Sequence, residues 1–232
     1  MLQPGTRIMP RAFLFVVMLL LSAVACQSAA AGFDCAKAVS QSERLICADP
    51  ALSRLDDQLF LAYRSALGKG AGREAVRRWQ KAWLFSVRDA CADAACLAKT
   101  YTAHIAELRE HSQLTAGEQA DSGSYARYFR GKPDRHEAAI DVFALRDKRV
   151  RLVGSAVWVG NAATGNVNTG EINGVFRFDG KLVHYREADG DDGCRLILRF
   201  ADEKLIVSDD NLRCGGMNVS FNGEYRRVGG FK

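Results

Sequence analysis

The spacing of apolar residues changes once along this 232-residue chain, and the change constrains the fold more than any other feature. From Cys35 to about Glu110 the apolar residues recur every three or four positions, which is the period of an amphipathic helix. Beyond about residue 124 they alternate with polar residues, as in short strands that bury one face. The sequence therefore predicts an α+β protein, in which an N-terminal disulfide-linked helical bundle precedes an antiparallel β-barrel or sandwich.

The helical part contains clear helix starts. Ser40 and Glu43 have the spacing of a capping box, which predicts a short first helix. Asp49 and Pro50 suit the N-cap and first position of a longer helix, which we expect to end among the glycines of residues 68–72. Two more helices are predicted, at about 73–90 and over the apolar residues of 97–108.

Small and polar residues dominate 113–123, so we expect a linker there, between a helical domain at 32–112 and a β domain at 124–232. In the β domain, alternation predicts strands near 150–158, 175–177, 194–200, 205–207 and 219–221. Gly-Ser-Tyr125 and Gly-Glu-Tyr225 lie near its two ends. We expect first and last strands at these positions that pair and close a barrel without free edges.

Residues 1–31 have the pattern of a secretory signal, with Arg7 and Arg11 ahead of an apolar run from Ala12 to Ala25. The run is shorter than the roughly 20 residues that a membrane-spanning helix needs. Cleavage after Ala31 predicts a periplasmic or secreted protein. Cleavage before Cys26 instead predicts an outer-membrane lipoprotein with lipid on that cysteine, and the two alternatives remain open.

Six cysteines remain beyond Cys26, and an even number in an exported chain predicts disulfide bonds. They are Cys35, Cys47, Cys91, Cys96, Cys194 and Cys214. Their spacing lacks the C-x-x-C pairs of zinc modules, so no metal site is predicted. In the helical part the local pairs 35–47 and 91–96 are favoured over a 47–91 pair. A 194–214 bond would close a loop of about 20 residues and stabilise the fold by about 3 kcal/mol.

Catalytic motifs are not evident, because the sequence has no G-x-S-x-G elbow, H-E-x-x-H pair or phosphate loop. We therefore predict no enzyme and no cofactor. A hydrolase remains an alternative if His136 or His184 lies beside an acid or a nucleophile in the fold. The net charge of +5 falls to +3 without Arg7 and Arg11, and the charges are interspersed, so no nucleic-acid partner is expected.

Two loops of the β domain are candidate contact sites. The glycine-rich segment 160–170 supplies uncharged polar groups for recognition, although turn formation alone also explains its composition. These groups are Asn161, Thr164, Asn166, Asn168 and Thr169. The second segment is an acidic run of Glu187, Asp189, Asp191 and Asp192, which does not fit a calcium loop and predicts a solvated hairpin turn.

The N-terminal half resembles the N-terminal domain of the LprI-type lysozyme inhibitor family over about residues 33–108. The motifs that carry the resemblance are FDC at 33–35, ERLIC at 43–47, Asp49-Pro50, LSRLD at 52–56, Gln80 with Trp83, and Arg88-Asp89 with Cys91. The second half is similar to a β domain that follows in such chains. The resemblance implies an exported bacterial protein that inhibits lysozyme.

Lysozyme cleaves glycan with two carboxyl groups in a cleft, so an inhibitor need only cover that cleft. We expect the 161–169 loop to enter the cleft while the acidic run at 187–192 pairs with a basic rim. An envelope module that binds cell-wall glycan or an assembly partner, without inhibiting an enzyme, is the main alternative.

Overall fold

The computed structural model describes residues 32–67, 72–187 and 192–230. The predicted signal at 1–31, Cys26, Asp189 and Asp191 therefore lie outside the described residues. Within these ranges, helices occupy the N-terminal side and antiparallel strands the C-terminal side, which confirms the α+β prediction in its general form.

Four α-helices form the helical part: α1 (Gln41–Ala48), α2 (Pro50–Ala66), α3 (Gly72–Trp83) and α4 (Ala94–Gln113). A 3₁₀ turn at Cys35–Lys37 precedes α1. The helix predicted to reach Ala90 changes at Leu84 into a π-helical turn, Leu84–Arg88.

The helix starts follow from local hydrogen bonds. In the capping box, the Glu43 N–H donates to Ser40 Oγ over 3.1 Å and the Ser40 N–H donates to Glu43 Oε2 over 3.0 Å. The backbone N–H groups of Ser40 and Val39 both donate to the Glu43 carboxylate and lower its pKa. Asp49 caps α2 by accepting the Ala51 N–H at 2.7 Å, ahead of Pro50. Both predicted caps are confirmed.

The sheet contains β1 (Gly123–Phe129), β2 (Lys132–Pro133), β3 (Ala138–Leu145), β4 (Arg149–Asn161), β5 (Asn166–Arg177), β6 (Leu182–Arg186), β7 (Arg195–Ala201), β8 (Lys204–Ser208) and β9 (Gly223–Gly230). The strand order is β5-β4-β3-β1-β9-β8-β7-β6, with β2 paired to β1. Apart from the pair formed by β1 and β9, the paired strands follow one another along the chain once β2 is set aside, and β5 and β6 form the two edges of the sheet. The inner face buries residues such as Tyr125, Ile140, Leu198 and Tyr225.

The sheet curls into a nearly closed barrel. The first and last strands pair as predicted, with Tyr125 opposite Arg227. That pair does not remove the free edges, however, because these belong to β5 and β6. The edges approach each other where the Asn173 N–H donates to Tyr185 Oη over 3.2 Å and the Phe176 and Tyr185 rings lie 4.8 Å apart.

The prediction of a strand near residues 219–221 is wrong, because these residues belong to the connection between β8 and β9. Val219 and Phe221 are nevertheless buried in the barrel core, at 2% and 0% exposure. Their alternation reflects a loop that folds back over the core, and hydrophobic spacing alone does not distinguish this from a strand.

Three disulfides join Cys35 to Cys47, Cys91 to Cys96 and Cys194 to Cys214, so the local pairing predicted for the helical part is confirmed. The third bond spans 20 residues of sequence, as predicted. Such bonds indicate an oxidising, non-cytoplasmic environment. None of the helices within the described ranges is long and apolar enough to cross a membrane.

The helices pack against the outer face of β3 and β4. Phe143 is fully buried there, and its ring lies 4.5 Å from Trp79 and 5.3 Å from His111. An ion pair beside it joins Arg78 Nε to Asp141 Oδ2 over 2.7 Å. This docking was not predicted from the sequence.

Candidate functional site

The connections between strands lie alternately at the two ends of the barrel, because consecutive antiparallel strands alternate in direction. Residues 130–137, 162–165, 187, 192–194 and 209–222 lie at one end, and we call this set the loop end. The opposite end carries the turns 146–148, 178–181 and 202–203. Both segments predicted as contact sites thus belong to the loop end or border it, although 188–191 are outside the described residues.

The tip of the β4–β5 hairpin is shaped by its own polar side chains. Asn161 Oδ1 accepts the Ala163 N–H at 3.1 Å, and the Thr164 hydroxyl donates to the Asn161 carbonyl over 3.2 Å. Gly165 follows with a left-handed φ of 73°. Asn161 and Thr164 therefore act in turn formation, which is the plainer of the two predicted roles.

The hairpin is fastened to the β8–β9 connection. Asn168 Nδ2 donates to the Met217 carbonyl over 2.7 Å, and the Gly216 N–H donates to the Thr169 carbonyl over 3.0 Å. Gly170 is necessary at this crossing, because a Cβ there would lie 2.3 Å from the Cys214 carbonyl oxygen. Asn166 lies on the exposed tip of the hairpin, where it pairs with Asn161 across β4 and β5.

 Asn161, Thr164, Asn166 and Thr169 are exposed on this hairpin, whereas Asn168 is half-buried.

The acidic turn is fastened to the same connection. Glu187 exchanges two hydrogen bonds with Cys194: its N–H donates to the Cys194 carbonyl over 3.0 Å, and its carboxylate accepts the Cys194 N–H at 3.1 Å. Asp192 forms an exposed ion pair with Arg213, at 3.5 Å. The Cys194–Cys214 disulfide then joins the base of the turn to the connection. The structure therefore brings the described members of both predicted contact segments to one surface.

A buried arginine organises the loop end from below. Arg127 is 8% exposed, and its Nε donates to Asp134 Oδ2 over 2.9 Å. Its other nitrogens donate to the carbonyls of Ser220, Asn222 and His136. One side chain thus ties the connection at 130–137 to the connection at 209–222. Arg127 was not predicted from the sequence, because nothing local distinguishes it from an exposed arginine on a strand.

A buried aspartate fixes the shape of the β8–β9 connection itself. Asp210 is 8% exposed, and its carboxylate accepts the N–H groups of Phe221 at 2.6 Å and Leu212 at 2.8 Å. The Tyr225 hydroxyl donates to the Phe221 carbonyl over 2.7 Å. Burial raises the pKa of Tyr225, so its hydroxyl stays protonated and able to donate.

Exposed apolar side chains project from this rigid connection. Leu212 is 61% exposed and Met217 is 78% exposed. Leu212 also has a left-handed φ of 62°, a conformation that costs free energy for a residue other than glycine. Such strain persists only where surrounding contacts impose it, and it is frequent at functional sites. The sequence signal that could have identified this surface is a methionine between two glycines and an asparagine.

The histidines occupy different environments. His136 Nδ1 accepts the Val159 N–H at 3.0 Å and its ring lies parallel to Trp158, so it joins the 130–137 connection to β4. His184 is exposed on β6. In the part of the chain that the structure describes, neither ring is hydrogen-bonded to a carboxylate, hydroxyl or thiol.

The other two histidines are buried in the helical core. His104 Nε2 lies 2.9 Å from Gln80 Oε1, and its ring stacks on Trp83 at 4.5 Å. Burial lowers the pKa of His104 well below its usual value, and the positive charge of Arg151 lowers it further. Burial also lowers the pKa of His111, although its hydrogen bond to the Ala144 carbonyl opposes the shift. Both rings are therefore neutral parts of the core at neutral pH.

A concave surface lies between α3 with its π-helical turn and the outer face of β3–β5. Its volume is about 310 Å³. Exposed Phe85 lines one side, while Lys81, Ser155 and Glu171 supply polar groups around it. This cleft is separate from the loop end and was not predicted.

Across residues 32–67, 72–187 and 192–230, no three His, Cys, Asp or Glu side chains are grouped as metal ligands. Comparison of the chain with protein-family models, with curated proteins and with solved structures finds no match. The resemblance to LprI-type inhibitors therefore stays a prediction that rests on the residues quoted above.

Proposed function

We propose that this is an exported bacterial envelope protein that inhibits lysozyme by binding it through the loop end and covering its active-site cleft. The observation that carries the proposal of a protein partner is the pair of exposed apolar side chains, Leu212 and Met217, on a connection held rigid by a disulfide and by buried Asp210. The motifs at 33–108 support lysozyme as that partner.

Rigidity favours binding because a loop that is already ordered loses little conformational entropy when it meets a partner. Arg127, Asp210 and the Cys194–Cys214 bond restrain the connection before any partner arrives. Binding is favoured when a partner removes apolar side chains on such a surface from water. Leu212 and Met217 therefore have the character of binding anchors.

The electrostatic part of the proposal differs from the expectation based on sequence. Asp192 is already paired with Arg213, and the carboxylate of Glu187 accepts a backbone N–H, so these acids have less capacity to bind a basic rim. Exposed Arg130 and Lys132 also belong to the loop end. Cations there can pair with the carboxyl groups that lie in a lysozyme cleft.

Lysis of a bacterial cell suspension, followed by turbidity, tests the proposal with purified mature protein and several lysozyme types. We expect inhibition at micromolar protein. Leu212→Asp should weaken it at least tenfold, since a charge replaces an apolar contact, while aspartate tolerates the left-handed backbone better than leucine does.

Val228→Asp is the matched control, because Val228 is 59% exposed and lies on β9 toward the opposite end of the barrel. It should inhibit like the unmodified protein. Unchanged lysis with every lysozyme type at micromolar excess would contradict the proposal, and equal loss in both variants would contradict the assignment to the loop end.

A second candidate function is binding of cell-wall glycan, and the cleft beneath the π-helical turn favours it. Its exposed Phe85 offers a flat apolar face, and Lys81, Ser155 and Glu171 offer hydrogen-bonding groups. Sedimentation with purified peptidoglycan tests this function. Phe85→Ala should abolish sedimentation, whereas Phe60→Ala, which removes an exposed ring from α2, should not.

A further inference from the structure

The first described residue is hydrogen-bonded to the middle of α2. The backbone nitrogen of Gly32 lies 2.8 Å from Asp56 Oδ2. The other oxygen of the same carboxylate accepts the hydroxyl of Tyr101, on α4, at 2.8 Å. Asp56 is half-buried, while Tyr101 is fully buried. The Asp56 carboxylate is therefore held in a fixed position beside the backbone nitrogen of Gly32.

The approach is close enough to favour glycine at position 32. A Cβ on Gly32 would lie 3.0 Å from Asp56 Oδ2 and 3.7 Å from the Cβ of Phe60. A larger residue would push the backbone nitrogen away from the carboxylate. The hydrogen-bonded group is thus a backbone nitrogen that can become an α-amino group if the chain is cut immediately before it.

The sequence places a processing signal at that bond. Ala29 and Ala31 supply the small residues that signal peptidases need at the −3 and −1 positions, and the apolar run of 12–25 precedes them. We propose that the Ala31–Gly32 bond is the processing site and that the α-ammonium released on Gly32 forms an ion pair with Asp56.

The reaction is a hydrolysis and involves no oxidation or reduction. A signal peptidase adds water to the Ala31 carbonyl carbon, and the carbon–nitrogen bond to Gly32 breaks. The products are a carboxylate on Ala31 and an amine on Gly32, which is largely protonated at pH 7. A neutral N–H donor is thereby replaced by a cation beside a carboxylate, which strengthens the hydrogen bond.

This processing has two consequences for the mature protein. Cys26 leaves with the signal, so the six cysteines that remain are the six that form disulfides. The ion pair also anchors the new terminus three residues ahead of Cys35, against α2. Neither consequence depends on what the loop end binds.

The intact mass of the exported protein tests the site. We expect the mass of residues 32–232 with three disulfides and no lipid, and N-terminal sequencing that begins Gly-Phe-Asp. A terminus at Cys26 that carries acyl chains, or a cut at any other bond, would overturn the proposal.

The rate at which an amine-acylating reagent labels the terminus tests the ion pair, with the lysines of the same molecule as an internal reference. Only the deprotonated amine reacts with the reagent. A carboxylate within about 4 Å raises the pKa of the amine by roughly one unit, because it stabilises the charged form. At pH 7 we therefore expect Asp56→Asn to label about tenfold faster than the unmodified protein.

Asp57→Asn is the matched control for this measurement, because it removes a neighbouring carboxylate on the same helix and should leave the rate unchanged. Circular dichroism of each variant verifies that the helices are retained. A folded Asp56→Asn variant with an unchanged labelling rate would overturn the ion pair, even with Gly32 as the terminus.

Discussion

Truncation of Arg127 should destabilise the protein strongly and loosen the loop end. The side chain is 8% exposed, and its partner Asp134 is 15% exposed. Arg127→Ala leaves that carboxylate without its cation and deprives the Ser220 and His136 carbonyls of a donor. Removing one member of a buried ion pair costs about 3–5 kcal/mol.

Calorimetry of the purified protein measures this loss. For a chain of this size, 1 kcal/mol corresponds to about 2–4 °C in Tm, so the variant should melt about 6–20 °C below the unmodified protein. Hydrogen exchange measures the local effect. The amides of Phe221 and Val159 should exchange faster. They donate to Asp210 and His136, which lie in the two connections that Arg127 ties together.

Arg199→Ala is the control, since Arg199 is an exposed arginine on β7 and its loss should change stability by at most about 0.5 kcal/mol. The reasoning would be refuted if Arg127→Ala melted within 2 °C of the Arg199→Ala variant, because Arg127 would then contribute no more than a surface residue.

Three further predictions concern the scaffold. Phe143→Ala should cost about 3–5 kcal/mol in urea unfolding, because a fully buried ring is lost between helices and sheet, whereas Phe85→Ala should cost less than about 0.5; equal costs would contradict the docking. Replacing both Cys194 and Cys214 by serine should cost about 3 kcal/mol, and no change in the urea midpoint would contradict a role in stability. His104 stays neutral in the folded protein, because burial lowers its pKa. Below about pH 6.5 the unfolded chain therefore binds more protons than the folded protein. The free energy of unfolding should fall by about 1.4 kcal/mol per pH unit below that value. His104→Phe should reduce the slope between pH 6.5 and 5.5, and an unchanged slope would show that this histidine is not responsible.

Local signals explain why the helices and the disulfides could be predicted. Ser40, Glu43, Asp49 and Pro50 determine helix starts through contacts within four residues, so their meaning does not depend on the rest of the fold. The disulfide pairs of the helical part are close in sequence, and local loop closure favours them.

Features that depend on distant parts of the chain were missed or wrong. Val219 and Phe221 alternate like a strand, but they are buried because Asp210 holds their loop over the core. Phe143 lies on the outer face of the sheet, and only the docked helices explain its burial. Arg127 contacts carbonyls more than 90 residues away, which no local pattern indicates.

The candidate site was predictable only in part. The 161–169 and 187–192 segments were identified by composition, and their described residues do meet at one end of the barrel. Composition did not indicate that Asn161, Thr164 and Asn168 form hydrogen bonds that hold the loops. It also did not indicate that Leu212 and Met217 are exposed apolar side chains on the β8–β9 connection. A side chain that shapes a turn and one that binds a partner have the same residue type, and only the fold distinguishes them.

Competition for the lysozyme cleft tests the central claim most directly. Calorimetric titration can measure binding of the mature protein to lysozyme alone and to lysozyme saturated with a short chitooligosaccharide that occupies the cleft. We predict binding to free lysozyme that weakens as the oligosaccharide concentration rises, because both ligands need the same surface. Binding of equal strength in both titrations, or no binding to lysozyme at all, would contradict the account.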